Sequence, residues 1–328
     1  MPSGCLCKQF GRAVVPDLSV VIVNWNTADY LRRCLDSISS GLGFGAPHNA
    51  GWQPQIEVIV VDNASKDGSA EMVRREFPWV RLIANPTNAG YAAGNNQGIK
   101  LSSGRYLLLL NPDTIVPDGA LGRLVEYMDE HPEAGIVGVR LLNPDGTVQP
   151  SCRSFPEPAY LLYETLGLAR LFRKSRRFAA YRMGWFDHNS EMEVDQPMGS
   201  ALAVRREVFE DIGLFDEQFP LFFNEVDLCY RAKLKGWKVV FTPTVEIVHY
   251  GGRGTSQVRL RALWESHCSL ARFYRKHYRR RIPLAVYLLV VLSIYLGALF
   301  RIGWAAATMR KACGCRGGKR SGLERDCA

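Results

Sequence analysis

The chain has 328 residues, 47% hydrophobic and 22% charged, with no low-complexity tract, which excludes a disordered or fibrous protein and allows one large α/β domain or two smaller ones. Its formal charge of +9 sits at one end: residues 253–328 hold sixteen Lys and Arg against three Asp and Glu, a net of +13, which leaves −4 on the first 252. Such a basic quarter suits nucleic acid or an anionic membrane, and the apolar run inside it favours membrane, with no nucleic-acid partner expected.

Leu18–Asn24 (LSVVIVN) is a short, β-branched apolar run of the kind that forms a buried parallel strand. Residues 29–40 carry Leu31, Leu35 and Ile38 at helical spacing, and 41–54 read as a Gly/Pro/Asn-rich surface loop. A second strand is predicted at 56–61, a helix at 67–77, a third strand at 80–84, a helix of small residues at 91–101 and a fourth strand at 105–110. Strand and helix thus alternate four times at crossover spacing. That is the pattern of a doubly wound parallel sheet, whose ligands sit beyond the carboxyl ends of the strands. Polar clusters follow three of these strands: Asn24-Trp25-Asn26, Asp62-Asn63-Ala64-Ser65 and Asn111-Pro112-Asp113. Any one of them could be an ordinary turn; three at one edge of a sheet mark a ligand site.

Past Pro117 a helix (119–131) and a strand (135–139) complete the first half, and Asn143-Pro144-Asp145-Gly146 reads as a β-turn. Residues 159–183 are predicted as one amphipathic helical stretch with a basic face, a solvated surface or a contact with anionic lipid or acceptor. A strand at 198–204, a helix at 225–236 with a glycine cap, and strands at 237–241 and 245–248 lead into His249.

Taken in order, VIVNWN (21–26), VVDNASKDGSAE (60–71), NPTNAGYAAGNNQG (85–98), LLLLNPDT (107–114), GSALAVRREVF (199–209), FFNEVDLCYR (222–231) and HYGG (249–252) resemble family 2 glycosyltransferases of the GT-A fold, in particular the rhamnosyltransferase-like branch. The resemblance spans roughly residues 18–257 and implies a Rossmann-like α/β fold, with a mainly parallel sheet flanked by helices. It implies that Asp113 holds a divalent cation, Mg²⁺ or Mn²⁺, together with His249 and the diphosphate of a nucleotide sugar. Many relatives carry Asp-x-Asp where this chain has Asn111-Pro112-Asp113, so one carboxylate is missing from the set. Asn24 and Asp62 are implied in the nucleoside pocket, with capping of the following helix as the alternative role of Asp62. Asn88, Gly90, Gly94 and Asn95 are implied in a turn and helix over the donor, whose N-terminus could favour diphosphate. Asn111 joins them on the donor side.

The acceptor hydroxyl must lose a proton as it attacks, and a carboxylate within reach suits that task. The family's base maps to Glu225, with Asn224 where the family's first acid stands. Asp227, two residues on, points elsewhere on the helix and reads as structural. Gly199 and Ser200 are implied at the acceptor side. One base opposite a departing diphosphate implies a single displacement with inversion. The sugar is not readable; the branch resemblance points to a deoxythymidine-diphosphate (dTDP) rhamnose donor.

Residues 282–300 form nineteen uncharged positions flanked by Arg279-Arg280-Arg281 and Arg301, long enough for one spanning helix, with a helix lying in the inner leaflet as the competing geometry. The nine cysteines include Cys5/Cys7 and Cys313/Cys315 but no metal-finger spacing, which fits free thiols in a reducing cytoplasm. The N-terminus shows no signal-peptide pattern. The expected organisation is an extension (1–17), a catalytic domain (18–257), a basic amphipathic linker helix (258–281), a membrane-associated helix (282–304) and a basic Cys-containing tail (305–328). It would work at the cytoplasmic face of the membrane on a glycan or lipid-linked acceptor. The alternatives are a catalytically silent nucleotide-sugar-binding or scaffold protein and a nucleotidyltransferase, the latter lacking its Gly-rich basic loop after the first strand.

Overall fold

The computed structural model describes residues 15–41 and 54–317, with side chains to residue 308. The expectations for most of the N-terminal extension, most of the 41–54 loop, the Cys5/Cys7 pair, the thiols of Cys313/Cys315 and residues 318–328 of the tail lie outside the described residues.

The elements run β1 (Leu18–Asn24), α1 (Ala28–Gly41), β2 (Ile56–Asp62), α2 (Ser69–Glu76), β3 (Arg81–Ala84), α3 (Tyr91–Leu101), β4 (Tyr106–Leu110), β5 (Thr114–Ile115), α4 (Ala120–Glu130) and β6 (Ala134–Leu142). They continue with β7 (Val148–Gln149), β8 (Cys152–Arg153), α5 (Pro158–Thr165), α6 (Leu168–Leu171), β9 (Met192–Glu193), β10 (Gln196–Pro197), β11 (Ala201–Arg205), α7 (Arg206–Ile212), α8 (Asn224–Leu234), β12 (Lys238–His249), α9 (Arg259–Phe273) and α10 (Leu284–Gly317).

β1 and β4 are buried at every position because helices cover both faces of the sheet, and their unbroken apolar runs follow from that. α1 lays Leu31, Cys34, Leu35 and Ile38 on one face. α3 covers another part of the sheet and comes unusually close to β1. A Cβ on Gly98 would fall 2.4 Å from Val21 Cγ1, and one on Gly94 2.9 Å from Val23 Cγ1.

The strand order is β3-β2-β1-β4-β11-β6-β12-β5. β3, β2, β1 and β4 are parallel, and so are β6 and β12, but β11 lies antiparallel between β4 and β6. The doubly wound expectation therefore becomes a mixed, mainly parallel sheet. The reversal places the start of β11, rather than its end, at the ligand-binding edge, where the Asn111 N–H donates to the Ser200 carbonyl at 2.9 Å.

Two local expectations are corrected. The single helix at 159–183 is instead α5 and α6, separated at Gly167 with φ of 73° and followed by turns; a left-handed glycine ends a helix rather than extending it. The two strands at 237–248 are one strand, β12, with a register shift between Thr242 and Glu246.

Candidate active site

The tips of β1 and β2 are pinned side by side. Asn24 Nδ2 donates to Asp62 Oδ1 at 2.8 Å and to Ser65 Oγ at 3.1 Å, Thr27 Oγ1 donates to Asn24 Oδ1 at 2.6 Å, and Ser65 N donates to Asp62 Oδ2 at 2.9 Å. Asn24 and Asp62 are both buried, and both Asp62 oxygens already accept bonds from the chain. Asp62 does not cap the next helix: α2 begins after Gly68, with no side-chain cap. Asn26, Ala64 and Phe223 are three of the five non-glycine residues at positive φ among the described residues, and all three sit at this edge, where local strain is concentrated.

At the start of α3, Asn88 Oδ1 accepts from Gly90 N at 2.9 Å, which closes the turn. Gly90 has φ of 91°, and a Cβ there would meet the Pro220 carbonyl oxygen at 3.0 Å. That carbonyl accepts from Tyr91 N at 2.6 Å and from Ala92 N at 3.3 Å. The first two N–H groups of the helix are thus taken by the chain's own oxygen, which leaves less of the helix start for a diphosphate. Gly94 faces Val23, and Asn95 is buried with Nδ2 donating to Tyr91 O at 2.9 Å and Oδ1 without a partner among the described residues.

Asp113, just past β4, is 5% exposed, and its Oδ1 lies 3.4 Å from His249 Nε2 at the end of β12. Gln149 fixes the imidazole. Its Nε2 donates to Asn143 Oδ1 at 2.9 Å, which turns its Oε1 to His249 Nδ1 at 2.7 Å. Nδ1 therefore carries the proton, and Nε2 presents a lone pair. Buried Nε2 has no hydrogen-bond partner among the described residues. A lone pair converging with a carboxylate oxygen in a buried site is the chemistry of a divalent-cation site, and the carbonyl-type acceptor behind Nδ1 is the supporting contact such sites use. Burial pushes the Asp113 pKa up; the imidazole of His249, in its charged form, and the Arg253 N–H, which donates to Asp113 Oδ2 at 3.3 Å, pull it below its ordinary value. No third His, Cys, Asp or Glu joins the pair among the described residues, so a cation held here would take its further ligands from substrate or water.

α8 is entered through Phe223 at φ of 65°, and Asn224 Oδ1 accepts from Glu225 N at 2.8 Å. The Asn224 Nδ2 is buried without a partner among the described residues. Glu225 packs on Gly199, where a Cβ would stand 3.4 Å from the Glu225 Cβ, so the glycine leaves room for the acid. Burial holds the Glu225 pKa above its ordinary value, against the pull of its own N–H and of Arg153.

Tyr91 joins the two acids. Its hydroxyl donates to the Gly199 carbonyl at 3.1 Å, and its pKa is driven up first by burial and then by the charges of Glu225 and Asp113. Asp113, His249, Asn111, Ser200, Gly199 and Glu225 thus share one region of the sheet edge. Tyr91, Gln149 and Asn143 were missed in the sequence. Asn143 lies in the second Asn-Pro-Asp triplet, which is a turn as expected but also holds Gln149.

The family model described as Glycosyl transferase family 2 matches residues 19–192. An N-acetylglucosaminyl-diphospho-decaprenol L-rhamnosyltransferase of Mycobacterium tuberculosis is 29% identical over 252 residues, 73% of this chain and 78% of that protein. A low-salt glycan biosynthesis hexosyltransferase of Haloferax volcanii is 25% identical over 242 residues, 73% of this chain and 68% of that protein. A mannosyltransferase of Pyrobaculum calidifontis, solved in complex with GDP-Man and Mn²⁺, superposes with a TM-score of 0.51 at 19% identity, covering 94% of this chain and 77% of that one, which shows the shared GT-A fold. By sequence over more than half its length, the chain belongs to glycosyl transferase family 2.

Proposed function

We propose that this glycosyltransferase works by a single inverting displacement, with Glu225 as the general base and Asp113 and His249 as the protein ligands of Mg²⁺ or Mn²⁺. The observation that carries the reading is that both acids flank the start of β11: Glu225 packs on Gly199, and the Asn111 N–H, two residues before Asp113, is bonded to the Ser200 carbonyl. Glu225 takes the proton of an acceptor hydroxyl, the hydroxyl oxygen bonds to the anomeric carbon, and the bond from that carbon to the diphosphate breaks. A bound divalent cation supplies stabilisation of the charge on the leaving diphosphate. The lone pair on His249 Nε2 and the ionised Asp113 fit that ion, and the Mn²⁺ bound by the Pyrobaculum mannosyltransferase supports it.

Asn24, Asp62, Asn88, Gly90 and Asn111 shape the donor side, and Gly199, Ser200 and Asn224 the acceptor side. For the donor we favour dTDP-rhamnose and for the acceptor a lipid-linked or cell-surface glycan, on the strength of the mycobacterial relative. The catalytic unit is residues 18–257, followed by the linker and the membrane helix, at the cytoplasmic face of the membrane.

Leu284–Thr308 has a mean hydropathy of 2.2, and most of its large apolar side chains are exposed. Its inward stripe, Ile294, Ala298 and Ala305, is buried, Tyr295 lies 6.1 Å from Trp264, and α10 packs along α9. A spanning α10 would draw α9, with Arg259, Arg261 and Glu265, into the hydrocarbon. We therefore favour α10 lying in the plane of the leaflet.

The test is a donor panel with purified full chain, reading nucleoside diphosphate release with and without Mn²⁺. Release from no donor at all would leave the silent-scaffold alternative standing.

A further inference from the structure

A cavity of about 980 Å³ opens from Glu225 and runs between α5, α8, α9 and α10. Its walls change character along its length. Near Glu225 it is lined by Ser151, Arg153 and Met198; farther out, Leu161 and Leu162 of α5 face Val286, Leu289 and Ile294 of α10. The outer wall is thus the same helix whose other side is apolar and exposed.

The charges in this cavity are unbalanced. Arg182 is spent on Glu164, at 2.9 Å. Arg153, Arg170 and Arg301 also line it, and none of their guanidinium groups makes a hydrogen bond or ion pair with the described residues; that of Arg153 faces the Tyr181 ring at 6.0 Å and acts on Glu225 through its charge. Free guanidinium groups beside one catalytic carboxylate await an anion, and the guanidinium fork suits phosphate. An anion next to a hydrocarbon-lined channel that opens on a membrane helix describes a lipid phosphate.

We propose that this cavity is the acceptor site and that it takes a sugar carried on a lipid diphosphate. The sugar hydroxyl lies at Glu225, the phosphates against Arg153, and the hydrocarbon along α5 and α10, with Arg170 and Arg301 at the outer end drawing in the anionic head. This rests on the transferase reading, narrows its lipid-linked acceptor to a lipid diphosphate and adds the residues that recognise it.

The experiment compares two acceptors with full-length protein in detergent: N-acetylglucosamine on a polyprenyl diphosphate, and phosphate-free octyl N-acetylglucosaminide. The wild type should prefer the diphosphate. Arg153→Gln should cut the ratio of kcat/KM between the two acceptors by about tenfold or more, mainly through KM for the diphosphate, and Arg153→Lys should restore part of it. A change in the base caused by losing this nearby charge would touch both acceptors alike, so the ratio isolates the phosphate contact. An unchanged ratio, an equal loss on both acceptors, or a loss confined to binding of anionic vesicles overturns the proposal. A wild type that turns over donor but shows no preference for the diphosphate overturns it too and leaves the transferase reading intact. A wild type that turns over no donor removes both.

Discussion

His249 Nε2 stands 3.4 Å from Asp113 Oδ1 with its lone pair free, because Gln149 Oε1 accepts a hydrogen bond from the opposite ring nitrogen at 2.7 Å and so keeps the proton there. Asn143 holds Gln149 in turn, at 2.9 Å, so a surface turn sets the tautomer of a buried imidazole.

The metal pair gives the first prediction. Asp113→Ala should abolish activity at every Mn²⁺ concentration. Gln149→Leu leaves both proposed ligands in place but frees the ring, so it should raise the Mn²⁺ concentration for half-maximal activity by about 10–100-fold. A titration of activity against Mn²⁺ after chelator treatment reads both; an unchanged midpoint in Gln149→Leu would remove the supporting role.

Glu225→Gln keeps shape and hydrogen bonding but cannot accept a proton. Turnover should fall by about 10²–10⁴-fold with donor affinity within about twofold of wild type. Stopped turnover together with lost donor binding would point to a folding defect and not to a missing base.

The pH profile follows from the same residue. Burial holds the Glu225 carboxyl above its ordinary value, and the base works only when ionised. Activity should therefore fall with decreasing pH through a midpoint above the ordinary glutamate value of about 4.3 and stay level above it. Arg153 lowers this pKa, so Arg153→Gln should move the midpoint upward. A wild-type midpoint at or below the ordinary value would contradict the assignment.

Asp227 concerns stability. It is fully buried, bonded to Arg231 at 2.7 Å, to His277 at 2.7 Å and to Lys276 at 2.6 Å. Burial would raise its pKa, but His277, Arg231 and Lys276 together carry it down to about 2. A depressed folded-state pKa contributes stability above the unfolded value of about 3.9, and that stability is lost as pH falls through about 2. Asp227→Ala removes the buried acceptor shared by Arg231, Lys276 and His277, although Lys276 keeps Asp216 at 2.7 Å and Arg231 keeps the Leu214 carbonyl at 2.8 Å; it should cost about 3–5 kcal/mol by urea unfolding at pH 7, with a smaller cost at pH 2.

For α10, the in-plane geometry predicts that both ends of the apolar run lie on one side of the bilayer. Single cysteines at Leu284 and Trp304, in a chain otherwise free of reactive thiols, should react from the cytoplasmic side with a membrane-impermeant maleimide. Labelling of the two from opposite sides would show a spanning helix.

Much of this was legible in the sequence because buried parallel strands are written as uninterrupted apolar runs, and β1, β2 and β4 announce the edge where Asn24, Asp62 and Asp113 stand. The antiparallel insertion of β11 was not legible, since a short apolar run such as Ala201–Arg205 carries no sign of strand direction. Nor was the supporting layer. Gln149 and Asn143 lie about a hundred residues from His249, in a segment whose local pattern says only turn. The partly occupied start of α3 was hidden for a similar reason, because its partner is a backbone carbonyl at Pro220, which carries no side-chain signature.

Asp227 lies two residues beyond Glu225 on α8 and grips Lys276 and His277, a few residues before α10 begins. The joint between α8 and the segment that leads into α10 is therefore an ionic clamp and not a hinge. Under the proposed reading, with Glu225 as the base and α10 in lipid, such a clamp would act as a fixed ruler that sets the height of the carboxylate above the bilayer.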